Sequence, residues 1–388
     1  MTDAIRVAVA FDFAEERWPS MDLVGAMLLE NLERFGPPRV QASQVCPPFR
    51  RRFTRIPAFG GRATAVNADR VLNRVWFYPR FIHRLHDKFD LFHIVDHSYS
   101  QLIHYLPAGR TVVTCHDLDT FQCLLSPNRE QRSMVFRAMA RQILNGFRRA
   151  ARIICVSGWT RDQILRHKLV PAERLEVVPN GVGPAFTALH NPTAETELEP
   201  LLRSVGSAEI YLLHVGSTLS RKRVDVLLRT FARVHRELSA TRLLRVGGPF
   251  NDEQLELLSS LGIQDSVTVL PFLTPEALAA VYRRSTLLLL PSEAEGFGLP
   301  VIEAMACGTP VLASDIPVLR EVGGSAAEYC PVADIDAWTG AVVSLLHERF
   351  SCHDKWNSRR QLGIEHASQF TWAANAKRMI AIYAALRS

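Results

Sequence analysis

The sequence predicts an α/β protein built from two doubly wound parallel sheets, and three observations carry that expectation. Its 388 residues exceed what one ordinary hydrophobic core serves, so two domains of under about 200 residues each are expected. Short, near-continuous apolar runs alternate with longer amphipathic ones, the pattern of parallel strands covered by helices on both faces. That alternation stops at a stretch rich in Pro, Thr, Ala and Glu and then starts again.

In the first half the expected strands are 5–12, 39–45, 91–97, 111–117, 151–157 and 175–181. Helical patterns over 20–35, 71–85 and 129–150 lie between them. In the second half the strands are 210–217, 242–248, 266–272, 286–292, 309–315 and 327–332. Helices are expected over 224–238, 252–262, 274–285 and 336–350, and after Pro300. The predicted domains are therefore 1–183 and 208–371, with 184–207 as linker and a helical tail at 372–388. Two such domains imply a cleft, and ligands of open α/β sheets bind outside the carboxyl ends of the strands. Residues just after strands are the ones to inspect.

Composition narrows the class. Hydrophobic residues make up 47% and charged residues 22%, the balance of a soluble globular protein. No run of about 18 apolar residues is present, so no membrane span is expected. The start, MTDAIRVAVAFD, reads as a strand rather than a signal peptide. Seven cysteines form no C-x-x-C pair and no metal spacing, which suits buried thiols in a reducing, cytoplasmic setting.

The net charge of +6 is uneven, with 26 Lys and Arg against 17 Asp and Glu in residues 1–190. Basic and aromatic residues interleave in PFRRRFTR (48–55) and RVWFYPRFIHRLHDKF (74–89). That mixture suits an anionic membrane surface or an anionic acceptor, although a solvated charged face gives the same pattern. Nucleic acid is not expected as a partner, because no recognition module appears and the second half is acidic.

The stretch PSEAEGFGLPVIEAMACGTPVLASD (291–315) carries the strongest chemical signal. A strand ends at its start, Pro300 suits the first turn of a helix, and Gly308 suits its left-handed end. Between them, Gly296 and Gly298 let the backbone approach a ligand at a helix N-terminus, a place that favours phosphates. Glu303, one turn into the helix, can take two ribose hydroxyls. Glu295, on the loop, would point at whatever lies beyond the phosphates. The competing structural reading is a pair of acids complementing a helix start.

Three further segments matter. HVGSTLSRKRVDVLL (214–228) is strand, glycine turn, basic cluster and helix, and Arg221, Lys222 and Arg223 could clamp a diphosphate; neither G-x-x-x-x-G-K-[ST] nor G-x-G-x-x-G is present. His116, in TVVTCHDLDTF, follows a buried strand, where a neutral imidazole can donate to a sugar or position a nucleophile. Backbone around Phe272 and Leu273, in VLPFLTPEAL, could contact a planar base. Asp117-Leu118-Asp119 and Asp334-Ile335-Asp336 have the D-x-D form, but such triplets are common by chance and no metal site is expected.

Together these segments resemble the family-4 retaining glycosyltransferases (glycosyl transferases group 1) of the GT-B fold, over most of residues 110–375. The most specific element is E-x7-E, Glu295 to Glu303, followed by AMACGTPVLASD; SRKRVDVLL, VVPNGV, VSGWT and CHD support it. The resemblance implies a nucleotide-sugar donor (a UDP- or GDP-sugar) on the second domain. It implies a glycan, lipid-linked or polysaccharide-precursor acceptor on the first, with metal-independent, cofactor-free transfer and retained anomeric configuration. It gives Glu303 to the ribose and Glu295 to the sugar hydroxyls. Amides around Gly296, Phe297, Gly298 and Leu299 go to sugar and phosphate, Lys222 with Arg221 to the leaving diphosphate, and His116 to the sugar near the reacting carbon. It also implies that the last helix crosses back to the first domain.

Two departures stand out. Many family members have an arginine where this chain has Ser217, so Arg221 or Arg223 is expected to take over that charge. Many also have a Gly-Gly loop after the first strand, where this chain has DFAEERWPSMD (12–22), and Trp18 to Asp22 are expected to shape the acceptor site. The alternatives within the same fold are a non-hydrolysing nucleotide-sugar epimerase and a non-catalytic nucleotide-sugar-binding protein. A cytoplasmic enzyme, peripheral on the inner membrane face through the basic N-terminal domain, is the expected setting.

Overall fold

A computed structural model of the protein describes residues 4–16, 18–57, 61–128, 130–203 and 210–387. The chain divides into two compact units, residues 1–181 with 372–388, and residues 182–371.

The first unit holds six strands: β1 Ile5–Ala10, β2 Val40–Val45, β3 Leu91–Ile94, β4 Thr111–Cys115, β5 Arg152–Cys155 and β6 Leu175–Val177. They form one parallel sheet in the order β2-β1-β3-β4-β5-β6. Alternate residues of β1 serve two cores. Ile5, Val7 and Val9 pack with helix Pro19–Phe35 and with Ala376, Met379 and Tyr383 of the last helix, Trp372–Arg387. Ala8 and Ala10 face the other core, with Tyr78, Phe92 and Phe147. Burial on both faces explains why the strands read as continuous apolar runs.

The second unit restarts the pattern with β7 Ile210–Val215, β8 Thr241–Val246, β9 Val267–Leu270, β10 Leu287–Leu290, β11 Val311–Ser314 and β12 Glu328–Cys330. This sheet is also parallel, in the order β12-β11-β10-β7-β8-β9. Leu212, Leu243, Leu287 and Leu289 pack on one face against Phe231 of helix Val224–Glu237 and Trp338 of helix Ile335–Ser351.

In each sheet the strand order reverses direction at one place, between β1 and β3 in the first and between β7 and β10 in the second. The loops leaving those strands flank the crevice of a doubly wound sheet.

Two expectations need correction. The segment 184–207 is not a bare linker, because helix Pro192–Arg203 occupies it and lies within the second unit. Asn191 Oδ1 accepts from the Ala194 N–H, Ala194 and Leu198 are buried one turn apart, and Arg283 Nε pairs with Glu195 at 3.4 Å. Those few anchors suffice where periodicity is weak; residues 204–207 of that segment lie outside the described ones. The helix expected over 71–85 begins instead at Ala63 and passes through a π-turn at Asn73–Phe77. The Asn73 side chain donates to the Asp69 carbonyl at 2.8 Å, a side-chain bond competing inside the helical ladder. The helix expected over 129–150 spans Met134–Phe147; Arg129 is outside the described residues.

Candidate functional site

In the second unit, β10 delivers the chain to Pro291 and Ser292, and the loop ends at Gly298, which has φ +96°. That backbone conformation is what favours glycine; a side chain there would also have to displace the tip of Leu319, whose Cδ2 would lie at 2.7 Å. Helix Leu299–Ala306 follows with Pro300 as its second residue and no side-chain cap. Pro300 has no N–H and the Val301 N–H donates to the Gly298 carbonyl at 2.9 Å, so the amides available at this helix end are those ahead of Pro300. Its far end is a Schellman turn. Gly308, at φ +75°, donates to the Met305 carbonyl, and Thr309 donates to that of Ala304.

Glu295 stands on that loop with its side chain 7% exposed. Its Oε1 accepts from Lys222 Nζ at 2.6 Å and from Ser292 Oγ at 2.7 Å, and its Oε2 lies 3.7 Å from Arg221 Nη1. Burial alone would raise its pKa. The Lys222 and Arg221 cations and the two hydrogen bonds outweigh burial and hold it below the ordinary carboxylate value. Lys222 comes from the loop after β7, so the two strands at the reversal of the sheet deliver the two halves of one ion pair. They are separated by 73 residues in sequence.

Glu303 differs from Glu295. It is buried in the helix and accepts from the Tyr282 hydroxyl at 2.9 Å. Burial pushes its pKa up to about 7, against a smaller lowering by that hydroxyl. One loop therefore carries an acid held ionised and an acid poised near neutrality.

Of the two arginines expected to replace the charge absent at Ser217, Arg223 is committed elsewhere. It is at φ 48°, makes two bonds to Asp225 at 2.8 and 2.9 Å, and lies 3.6 Å from Glu293. Arg221 stays near the site, donating to the Ala294 carbonyl at 3.1 Å. The Phe297 side chain is buried against Phe370, so only its backbone can meet a ligand. Phe272 is 72% exposed beside the Gly248 turn, an open aromatic face after β9; Leu273 follows it, partly buried.

Sequence reading missed two residues here. His214 and Arg245 sit opposite each other on β7 and β8, both fully buried. The signal was present as single polar letters inside the apolar runs YLLHV and RLLRV.

In the first unit, His116 follows β4 and is buried. Its Nε2 lies 2.8 Å from the Val95 carbonyl, which only accepts, so this nitrogen carries the hydrogen. Burial lowers its pKa more than Asp96 raises it, which keeps the ring neutral. The remaining nitrogen, Nδ1, is then an acceptor. Around it lie residues that sequence reading passed over. Asp12, after β1, is buried with neither carboxyl oxygen hydrogen-bonded to a described residue, while Asp96, after β3, accepts from the Ser98 N–H at 2.9 Å. Burial and the facing Asp96 charge raise Asp12 far above its ordinary value; Asp96 is held ionised, against its burial, by His97 and Ser98. His97 Nδ1 is 3.1 Å from Asp96, and although burial favours the neutral ring, that carboxylate raises its pKa.

The D-x-D triplets have structural work. Asp117 Oδ1 accepts from the Asp119 N–H, Asp334 caps helix Ile335–Ser351, and Asp336 pairs with Arg233. No group of three or more His, Cys, Asp or Glu among the described residues could hold a metal ion.

Comparison with known proteins agrees with this geometry. A family described as "Glycosyl transferases group 1" matches residues 204–369, and "Glycosyltransferase Family 4" matches residues 32–186. The chain is 28% identical to O-antigen chain mannosyltransferase B of Escherichia coli over 76% of this chain and 75% of that one. It is 33% identical to the D-inositol 3-phosphate glycosyltransferase of Segniliparus rotundus, over 55% of this chain and about half (48%) of that relative's length. Among solved structures, sucrose-phosphate synthase from Thermosynechococcus elongatus superposes with TM-score 0.74 at 20% identity, over 98% of this chain and 99% of that one. Anabaena HepE in complex with UDP and glucose gives TM-score 0.73 at 16% identity, over 98% and 100%. With both matched regions lying on the two sheets just described, the chain belongs to the group 1, family-4 glycosyltransferases of the GT-B fold, and is a glycosyl-group transferase.

Proposed function

We propose that the protein transfers a sugar, with retention of anomeric configuration, from a nucleoside diphosphate to a hydroxyl of a glycan or lipid-linked acceptor. The observation that carries this reading is the Lys222–Glu295 pair at the carboxyl edge of β7 and β10, next to the uncapped N-terminus of helix Leu299–Ala306. The ammonium and the amides ahead of Pro300 are suited to a diphosphate. Phe272 offers a face for the base, Glu303 takes the ribose hydroxyls, and Glu295 takes hydroxyls of the transferred sugar. The solved relative with UDP and glucose bound supports a nucleotide-sugar donor.

Breaking the bond between the anomeric carbon and the β-phosphate oxygen puts negative charge on that phosphate. Lys222, Arg221 and the helix amides stabilise it. The acceptor oxygen bonds to the same face of that carbon, and its proton passes to the departing phosphate oxygen. His116, through its acceptor nitrogen, is assigned a hydroxyl of the reacting sugar. Side chains and amides supply the positive charge in this scheme, so activity is expected to survive EDTA.

A panel of UDP-, GDP- and ADP-sugars scored by thermal shift tests the reading, because a donor stabilises the folded state by mass action. A shift with one base, followed by product of unchanged anomeric configuration by NMR, is the expected result. No shift with any of them, or an inverted product, would sink it.

We also propose peripheral contact with an anionic membrane face. The PFRRRFTR loop is folded onto helix Ala63–Leu72, whose Asp69 accepts from the N–H groups of Arg52, Phe53 and Thr54 at 2.8–3.0 Å. This holds exposed Arg51, Arg52 and Arg55 on one short loop with exposed Phe53 and Ile56. Flotation with anionic liposomes is expected, and its absence would remove the idea.

A further inference from the structure

Beneath the β7 turn the second unit buries a cation that no acid answers. Arg245, on β8, is fully buried; its Nη2 donates to the Gly216 carbonyl at 3.1 Å, its Nη1 donates to that of Gly248, and its Nε has no partner among the described residues. Its guanidinium lies 4.9 Å from the Phe250 ring centre. No carboxylate among the described residues forms an ion pair with it. Its cross-strand neighbour is His214, also fully buried, with neither ring nitrogen hydrogen-bonded to a described residue. Burial, with the Arg245 and Lys222 charges, drives that imidazole down to about 3, so it remains neutral and answers no charge.

A buried, unpaired guanidinium is costly unless something supplies its counter-charge. The surroundings indicate where that counter-charge enters. Gly247 is packed so tightly that a side chain there would meet the Gly216 oxygen at 2.0 Å, so the turns after β7 and β8 form one rigid unit clamped by Arg245. In a planar trans peptide the C=O and N–H point opposite ways. With the Gly216 carbonyl drawn inward onto Arg245, the N–H of Ser217 is turned outward. Ser217 is exposed, and no described residue accepts from that N–H. Lys222 and Arg221 share Glu295 at the same edge, whereas Arg245, behind the turn, forms no ion pair with a described acid.

We propose that Arg245 is a positioning residue for the donor diphosphate: it aims the Ser217 amide at the β-phosphate and supplies, from below the turn, the positive charge that Ser217 itself does not carry. This rests on the donor site assigned above, and deepens it by naming which part of the donor the buried cation serves. Because the guanidinium acts through the turn, its removal weakens recognition of the second phosphate selectively and leaves base and ribose contacts intact.

The test is competitive binding of UDP, GDP and ADP against UMP, GMP and AMP, by wild type, Arg245→Met, Arg245→Lys, Lys222→Ala and Arg245→Met with Ser217→Arg. For the base that binds, Arg245→Met is expected to reduce the preference for diphosphate over monophosphate at least tenfold, with monophosphate affinity within about twofold of wild type. Adding Ser217→Arg, which puts a cation on the outer side of the turn, is expected to restore most of that preference, which no purely structural role predicts. Should Arg245→Met fail to fold, Arg245→Lys carries the test, since one ammonium cannot hold both carbonyls; a loss of three- to tenfold confined to the diphosphate is expected. Parallel loss of mono- and diphosphate, or no rescue by Ser217→Arg, overturns the proposal. If Lys222→Ala weakens diphosphate binding and the Arg245 variants do not, the donor site stands and the proposal falls. If no nucleotide binds the wild type, both fall.

Discussion

The two sheets are both parallel and doubly wound, with different strand orders, and they differ in the sign of what they place at their carboxyl edges. Where β7 and β10 part, the second unit sets Arg221 and Lys222 against the ionised Glu295 and buries Arg245 beneath the β7 turn. Where β1 and β3 part, the first unit gathers Asp12 and Asp96 with neutral His116. The fold therefore fixes where a ligand meets the sheet, and the one or two residues after each strand decide what that ligand is. The cationic edge, with glycine turns and exposed amides, is matched to a diphosphate. The other edge offers a carboxyl whose protonated form burial favours, and an imidazole nitrogen as acceptor, which suits uncharged hydroxyls.

The largest effect should come from breaking the acidic pair asymmetrically. Burial and the facing Asp96 charge favour the protonated form of Asp12, so Asp12→Asn, which is neutral, should change unfolding free energy by less than about 1 kcal/mol. Asp96 is the ionised partner held by Ser98 and His97, so Asp96→Asn removes the carboxylate 3.1 Å from His97 Nδ1 and leaves that ring with the more distant Asp117, at 3.7 Å. It should cost about 3–5 kcal/mol in urea unfolding at pH 7. Equal effects of the two variants would mean that the proton is not localised as the geometry implies.

At the other edge, Lys222→Ala removes the cation nearest Glu295 and should lower the transfer rate about 10²–10³-fold with the donor the sugar panel identifies. Glu295→Gln should cost less in nucleoside diphosphate affinity than in transfer, because it leaves Lys222 unpaired and available to phosphate. If Glu295→Gln and Lys222→Ala weaken diphosphate binding equally, Glu295 is a support for the loop rather than a contact to the sugar.

Backbone-level features of these edges were legible in sequence. Gly298 and Gly308 announce positive φ, Pro300 the first turn, and the continuous apolar strands the doubly buried sheets. The E-x7-E spacing places Glu295 on a loop and Glu303 in a helix, as found. Asp12, Asp96, His214 and Arg245 were not legible, since a lone polar letter at a strand end carries no local pattern; its meaning arises from the strand beside it, as when the β7–β8 register sets His214 opposite Arg245. Helix Pro192–Arg203 was missed for the related reason that Leu198 and the Glu195–Arg283 pair gain their value only from a partner helix some 80 residues away.

The two edges resemble each other at one point: each keeps a buried acid with a raised pKa, Asp12 in the first and Glu303 in the second. Glu303 permits the finer test because its pKa lies within reach, at about 7 against 4.5 when exposed. Between those values the folded protein holds a proton that the unfolded chain has released, so this group makes stability fall as pH rises through the window. The full loss is about 3 kcal/mol, complete above pH 7. Glu303→Gln cannot ionise, so its stability relative to wild type should improve by about that amount from pH 4.5 to pH 8, as measured by urea unfolding. Ligand binding should act in the opposite direction. A ribose diol donating to Glu303 favours the carboxylate, so binding of the nucleoside diphosphate at pH 6.5 should expel a fraction of a proton, measured as a buffer-dependent calorimetric enthalpy. That release should vanish in Glu303→Gln and persist in Glu295→Gln, whose parent acid is ionised before the nucleotide arrives. If the release survives Glu303→Gln, the ribose is held by another group and the raised acid is a feature of the helix interior alone.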